Sequence, residues 1–252
     1  MKTGMAILLI SFILLFSGCG TQAGMETGSS FSSEEQREIP PGEVEALAFL
    51  DKLAENKVTP NGRAQGDFKI KYPQWFDKND KIIYPSFDEL RKAKTNEEVD
   101  ELCQIPEEIV NTANTKTLLR AVEGYPKLSV YHHFDSFAVG LQRLVEVFYG
   151  MNVLLRREDA CRAAAESYLS RNLKALPEGY DDFQMLEALL LEEFLISRED
   201  AYYKFSEEER REILEAVEKN YDAELKLADG SLRTHFYDMA AYGDNPWKSE
   251  LP

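Results

Sequence analysis

Histidine and cysteine are scarce in this chain, three of each in 252 residues, and the spacings that give them chemistry are missing. No C-x-x-C pair occurs, which removes thioredoxin-like redox pairs and zinc ribbons. There is no H-E-x-x-H, no G-x-S-x-G nucleophile elbow, no Walker loop, no dinucleotide fingerprint and no EF-hand loop. Positive charge is in deficit, with 29 Lys and Arg against 45 Asp and Glu and a net charge of −16. Phosphate backbones need clustered Lys and Arg, so this balance argues against a nucleic-acid partner. It also argues against a folded part that lies flat on anionic lipid. Clean periods of 20–50 residues are absent, which leaves a repeat solenoid without support. So is the strand–helix alternation of a two-lobed α/β solute-binding protein.

What is present begins at the N-terminus. Lys2 supplies a basic start, MAILLISFILLF an apolar stretch of 12 residues, and Ser17-Gly18 small residues before Cys19. A spanning helix needs about 20 apolar residues; a short one with these flanks describes a secretory signal. The cysteine directly after the small residues makes it look like a bacterial lipoprotein signal, with Cys19 as the lipid attachment site. Phe16 stands where such signals usually carry Leu, and Leu15 lies one place back. An uncleaved anchor, or an ordinary signal cut elsewhere, is the alternative. Two acyl chains on Cys19 suffice for stable anchoring. Residues 20–41, rich in Gly, Ser, Thr and Glu, bury too little apolar surface to offset their ordering entropy. The expected organisation is a signal peptide over 1–18, a flexible tether over 19–41 and a single mainly α-helical domain over 42–252. Such a protein belongs on the cell membrane or outer membrane, exposed outside the cytoplasm.

Within the domain the fold class reads as all-α, a helical bundle or stacked helices. Val44, Leu47, Ala48, Leu50 and Leu53 form a helical stripe. Residues 66–86 differ in texture: Phe68, Ile70 and Tyr72 alternate with charge, and Pro73 and Pro85 stop regular structure. This segment is either a small β-hairpin turning at Asp77–Asp80 or an irregular aromatic-rich loop. Capping boxes stand at Ser86–Glu89 and Ser206–Glu209, and Thr115 is the expected cap of a helix running to Glu123. A helix from Ser136 is expected to end at Gly150. Cys161, Ala164, Ala165, Tyr168 and Leu169 form a small-residue face suited to close packing. Phe183–Ile196 is the strongest apolar helix and the expected centre of the core. Residues 233–252 form an aromatic tail.

Leu102-Cys103-Gln104-Ile105-Pro106, Thr117-Leu118-Leu119, Gly124-Tyr125-Pro126, Phe148-Tyr149-Gly150 and Leu154-Leu155-Arg156-Arg157 recur as a set of helix-boundary signals. Over about Leu102 to Tyr203 the chain resembles a group of uncharacterised exported bacterial proteins. Val122-Glu123-Gly124 replaces the Cys-Leu step usual before Tyr-Pro, and Tyr149 stands where Asn is common. The resemblance implies export and an α-helical domain, and no mechanism.

Candidate chemistry is thin. His132, His133, Asp135, His235 and Asp238 would form a zinc or iron site if the tail folds back. Adjacent histidines on a helix point to different faces, and surface or structural histidines are the commoner reading. Cys103 and Cys161 sit in helix-interior patterns that favour buried thiols, although export permits a disulfide. Among many acidic pairs, Glu192-Glu193 inside the apolar helix is the most unusual; one of the two is expected to be partly buried, and the pair reads as an acid role or, more commonly, a solvated helix edge. Tyr72, Trp75, Phe76, Tyr84 and Phe87 line a carbohydrate or peptide groove, or form the core of a loop-rich cap. The expected function is a non-catalytic binding or interaction module, lipid-anchored at the cell envelope, with no cofactor and with a protein partner or small ligand. The alternative is a metal-dependent envelope hydrolase using His132, His133 and His235.

Overall fold

The computed structural model describes residues 40–60, 65–128, 136–171, 182–227, 235–240 and 243–251. Within them the chain is α-helical, with isolated bridges and no strand. Helix α1 (Pro41–Glu55) takes Pro41 at its first position, where a missing N–H costs nothing. It buries Ala46, Leu47, Leu50 and Ala54, while Val44 is exposed, so the apolar stripe is rotated toward the alanines.

The 66–86 segment resolves the two readings in part. Its start is a helix, α2 (Gln65–Lys71), and not the extended segment that the Phe68-Ile70-Tyr72 alternation suggests. Phe68 is buried and Ile70 stands out in solvent. A 3-10 turn (Pro73–Trp75) follows, and one antiparallel bridge, Phe76 to Ile82, closes a minimal hairpin loop. Asp77 builds its turn by accepting from the amides of Asn79 and Lys81, both at 2.8 Å. These two bonds hold the Asp77 carboxyl below the usual range, that of Lys81 first.

Short helices α3 (Phe87–Leu90), α4 (Asn96–Leu102) and α5 (Glu107–Thr112) lead into α6 (Thr115–Glu123). The α6 cap is Asn114, whose side chain accepts from Thr117 N, and Thr115 is the first helical residue. Helix α7 (Phe137–Val147) breaks at Phe148, and α8 (Tyr149–Arg156) starts at once. Gly150 is therefore inside a helix rather than a stop. A Cβ there would lie 2.6 Å from Phe148 Cζ, so glycine lets the buried ring fold under the first turn of α8. Helices α9 (Ala160–Ser170), α10 (Asp182–Ser197), α11 (Glu199–Tyr202), α12 (Glu207–Leu227) and α13 (His235–Ala240) complete the set.

Helix α10 is the hub. It packs most extensively on α9 and α13, and also meets α6, α11 and α12. From Met185 to Ser197 every residue is buried, as expected of a helix apolar on all sides. Helices α6 and α9 lie side by side. Thr115 donates to Asp159 at their N-terminal ends, Lys116 pairs with Glu166, and Arg171 reaches Glu123 at their C-terminal ends, so the two run parallel.

Candidate functional site

The predicted metal set lies largely outside the described residues. His132, His133 and Asp135 fall there, as does Cys19 with the whole leader and tether. His235 and Asp238 lie on α13, but their side chains are outside the description. Among the described residues no three His, Cys, Asp or Glu side chains gather as a metal-ion site. Cys103 and Cys161 are both free and buried. Burial pushes the Cys103 thiol up to about 11 and raises that of Cys161, so neither is a thiolate nucleophile at neutral pH.

The aromatic set forms core rather than a groove. Trp75 and Phe76 are buried. Tyr84 stands edge-on to Trp75 and Tyr125, with centroids 5.9 and 5.8 Å apart, and its hydroxyl donates to the Ala121 carbonyl at 2.6 Å. Tyr125 in turn stacks on Phe148 at 4.1 Å. Phe87 alone of the five is exposed, beneath the Arg91 guanidinium at 4.2 Å.

Glu192 and Glu193 give the most unusual chemistry. The solvated-edge reading is overturned, since both side chains are fully buried. Successive helical residues diverge by about 100°, and the two carboxylates have different partners. Glu193 accepts from the Tyr168 hydroxyl at 3.1 Å and from the Phe236 backbone N–H at 3.2 Å. The second bond satisfies an orphan donor in the first turn of α13. Glu192 accepts from Arg171, Nε to Oε2 at 2.7 Å and Nη2 to Oε1 at 2.6 Å. This is the bidentate fork that matches guanidinium to carboxylate.

Arg171 has two further neighbours. Its Nη1 lies 3.3 Å from Met185 Sδ, and its Nη2 lies 3.2 Å from Glu123 Oε2 at the end of α6. The other Glu123 oxygen is buried and has no hydrogen-bond partner among the described residues. Burial, and then the charge of Glu192, push the Glu123 carboxyl well up, against the opposing pull of Arg171. Burial works against the Arg171 charge, yet the hydrogen bonds and charges of Glu192 and Glu123 hold the guanidinium above its ordinary range.

Beside this cluster, a groove of about 220 Å³ follows the α6–α9 pair, with Lys116, Arg120, Glu166, Ser167 and Ser170 among its lining residues. Glu123 is one turn on from Arg120, and Arg171 follows Ser170, so the groove leads toward the cluster. The Glu123 and Arg171 side chains each keep 12% exposure, and Glu192 keeps none. The cluster thus joins three elements and offers a substrate no access to Glu192.

Sequence reasoning picked out Glu192-Glu193 but missed Glu123, Tyr168 and Arg171 as their partners. A signal existed. Arg171 continues the buried spacing Cys161, Ala164, Tyr168, and Glu123 sits four residues after buried Leu119. A charged residue in register with a core stripe needs a buried partner.

No family model, curated protein or solved structure matches the chain. None of the helices among the described residues is long and apolar enough to cross a membrane.

Proposed function

We propose that the chain is an exported protein, lipid-anchored through Cys19, whose helical domain serves as a binding module at the cell envelope. The observation that supports this reading is the order of features at the N-terminus. Lys2, a 12-residue apolar stretch, Ser17-Gly18 and Cys19 come first, then a Gly-, Ser- and Glu-rich segment, and the first helix among the described residues, α1, follows from Pro41. The lipid supplies the membrane partner, and the tether holds the domain within reach of envelope proteins or small ligands. The α6–α9 groove, with Lys116 and Arg120 on one side and Glu166 and Ser167 on the other, is the surface the module offers.

The reading is tested by growing cells that express the full chain or Cys19→Ser with radiolabelled fatty acid. The parent is expected to take up label and to sediment with membranes, and the variant to lose both. A parent protein that incorporates no lipid would remove the anchor, and with it the envelope assignment.

A further inference from the structure

Glu192 is fully buried, and both of its oxygens accept from one guanidinium, at 2.7 and 2.6 Å. This fork is the geometry in which a guanidinium matches both oxygens of a carboxylate. Glu123 Oε2 lies 3.2 Å from Arg171 Nη2, the same nitrogen that bonds Glu192 Oε1 at 2.6 Å, so the two carboxyl groups meet at one donor. Two ionised carboxylates and one guanidinium would leave a net negative charge in a site nearly closed to water. Carboxyl groups gathered on one nitrogen under these conditions do not both ionise. Since Glu192 is the doubly bonded member, the proton belongs on Glu123, which can then donate to Glu192.

We propose that Glu123 and Glu192 share one buried proton, and that this proton clasps the C-terminal turn of α6 and the end of α9 onto α10. The domain is proton-loaded at neutral pH and loosens as the solution turns alkaline. This device stands apart from the lipid anchor and does not depend on it.

The surrounding groups leave the assignment with this trio. From α9, Tyr168 turns its hydroxyl to Glu193, and Glu166 pairs with Lys116 of α6. From α8, packed against α6, Tyr149 bonds to Asn111 and Arg156 to the Asn152 carbonyl. Arg120 of α6 lines the groove. From α10, Glu187 is buried, and Glu193 is held by Tyr168 and α13. The largest charge effects on Glu123 come from Glu192 and Arg171.

Burial, followed by the charge of Glu192, pushes the Glu123 carboxyl from an ordinary 4.5 up to about 9. The folded domain therefore keeps a proton that the unfolded chain releases. The stability this contributes is complete below pH 4.5 and is lost as the pH rises through about 9.

The test is urea unfolding of the full chain and of Glu123→Gln from about pH 6 to about pH 9.5. Glutamine keeps a donor and cannot titrate. The wild-type midpoint is expected to fall across this range more steeply than that of the variant. At the alkaline end the unfolding constant of Glu123→Gln should be at least about tenfold below the wild type's. Equal slopes in the two proteins would overturn the proposal. Should Glu123→Gln not fold, infrared spectra of the wild type decide alone. A protonated-carboxyl C=O band at neutral pH that fades in alkali is expected, and its absence at neutral pH would overturn the proposal.

Discussion

A buried carboxylate forked onto a guanidinium depends on that guanidinium for its compensation. Arg171 makes five contacts that matter here: two to Glu192, one to Glu123, one to Met185, and the chain turn at the end of α9. Arg171→Met removes the charge and keeps much of the volume, so Glu192 is left buried and without its fork. Removing one partner of a buried pair destabilises by about 3–5 kcal/mol. We expect Arg171→Met to lower stability by this amount in urea unfolding at neutral pH. A combined Arg171→Met, Glu192→Leu, Glu123→Leu variant should recover most of the loss, since an apolar cluster of similar volume is often neutral or better. A single variant as stable as the parent would show that Glu192 draws its compensation elsewhere. Arg157 offers a contrast. It is buried, its Nη2 donates to the Val110 carbonyl at 2.8 Å, and its Nε and Nη1 have no partner among the described residues.

At the scale of elements, two tendencies compete at Gly150. Alanine is the better helix former by about 1 kcal/mol, and Gly150 lies within α8. Yet a Cβ would sit 2.6 Å from Phe148 Cζ and 3.0 Å from Cε2, and Phe148 is fully buried and stacked on Tyr125. The ring has no free direction, and overpacking of this kind costs about 1–3 kcal/mol. We expect the clash to win, so that Gly150→Ala lowers the thermal midpoint, as differential scanning calorimetry would show; a raised midpoint would mean that the ring relocates. The same glycine marks where sequence reading stops. As a local signal it reads as a helix stop, and only the Phe148 ring packed beneath it explains why the helix begins there instead. Caps at Ser86 and Ser206 were legible because their bonds span three residues. The α10 core helix was legible because its apolar character is continuous. Alternation misled at Phe68-Ile70-Tyr72, where Phe68 packs on the core and Ile70 faces solvent on a helix. The Glu192-Glu193 anomaly was visible, but Arg171 lies 21 residues away, and pairings at that range follow from how helices pack rather than from spacing.

Across the whole domain, the C-terminal segment 243–251 acts as a strap over several helices that local sequence does not connect. Asn245 Nδ2 donates to the Ser197 carbonyl at the end of α10 at 2.7 Å and to the Met239 carbonyl of α13 at 3.3 Å. Its Oδ1 accepts from Trp247 N at 3.1 Å, which sets the short 3-10 turn Pro246–Ser249. Trp247 is fully buried. Its ring lies edge-on to Tyr202 of α11 and Phe236 of α13, each with centroids 5.3 Å apart. Beyond it, Glu250 accepts from Arg210 Nε of α12 at 2.8 Å and from the Tyr202 hydroxyl. One segment therefore bonds or packs against α10, α11, α12 and α13. Trp→Ala in a core costs about 3–5 kcal/mol, a large share of the roughly 5–15 kcal/mol that holds a domain together. We expect Trp247→Ala to lose this much in urea unfolding, and a truncation after residue 242 to lose at least as much. Helix α1 serves as the internal control, because its main packing is on α7 and α8. If the domain unfolds as one unit, hydrogen exchange in α1 should accelerate together with that in α10 and α13. Acceleration confined to α10–α13, with α1 unchanged, would show instead that the strap stabilises a C-terminal subunit that opens by itself.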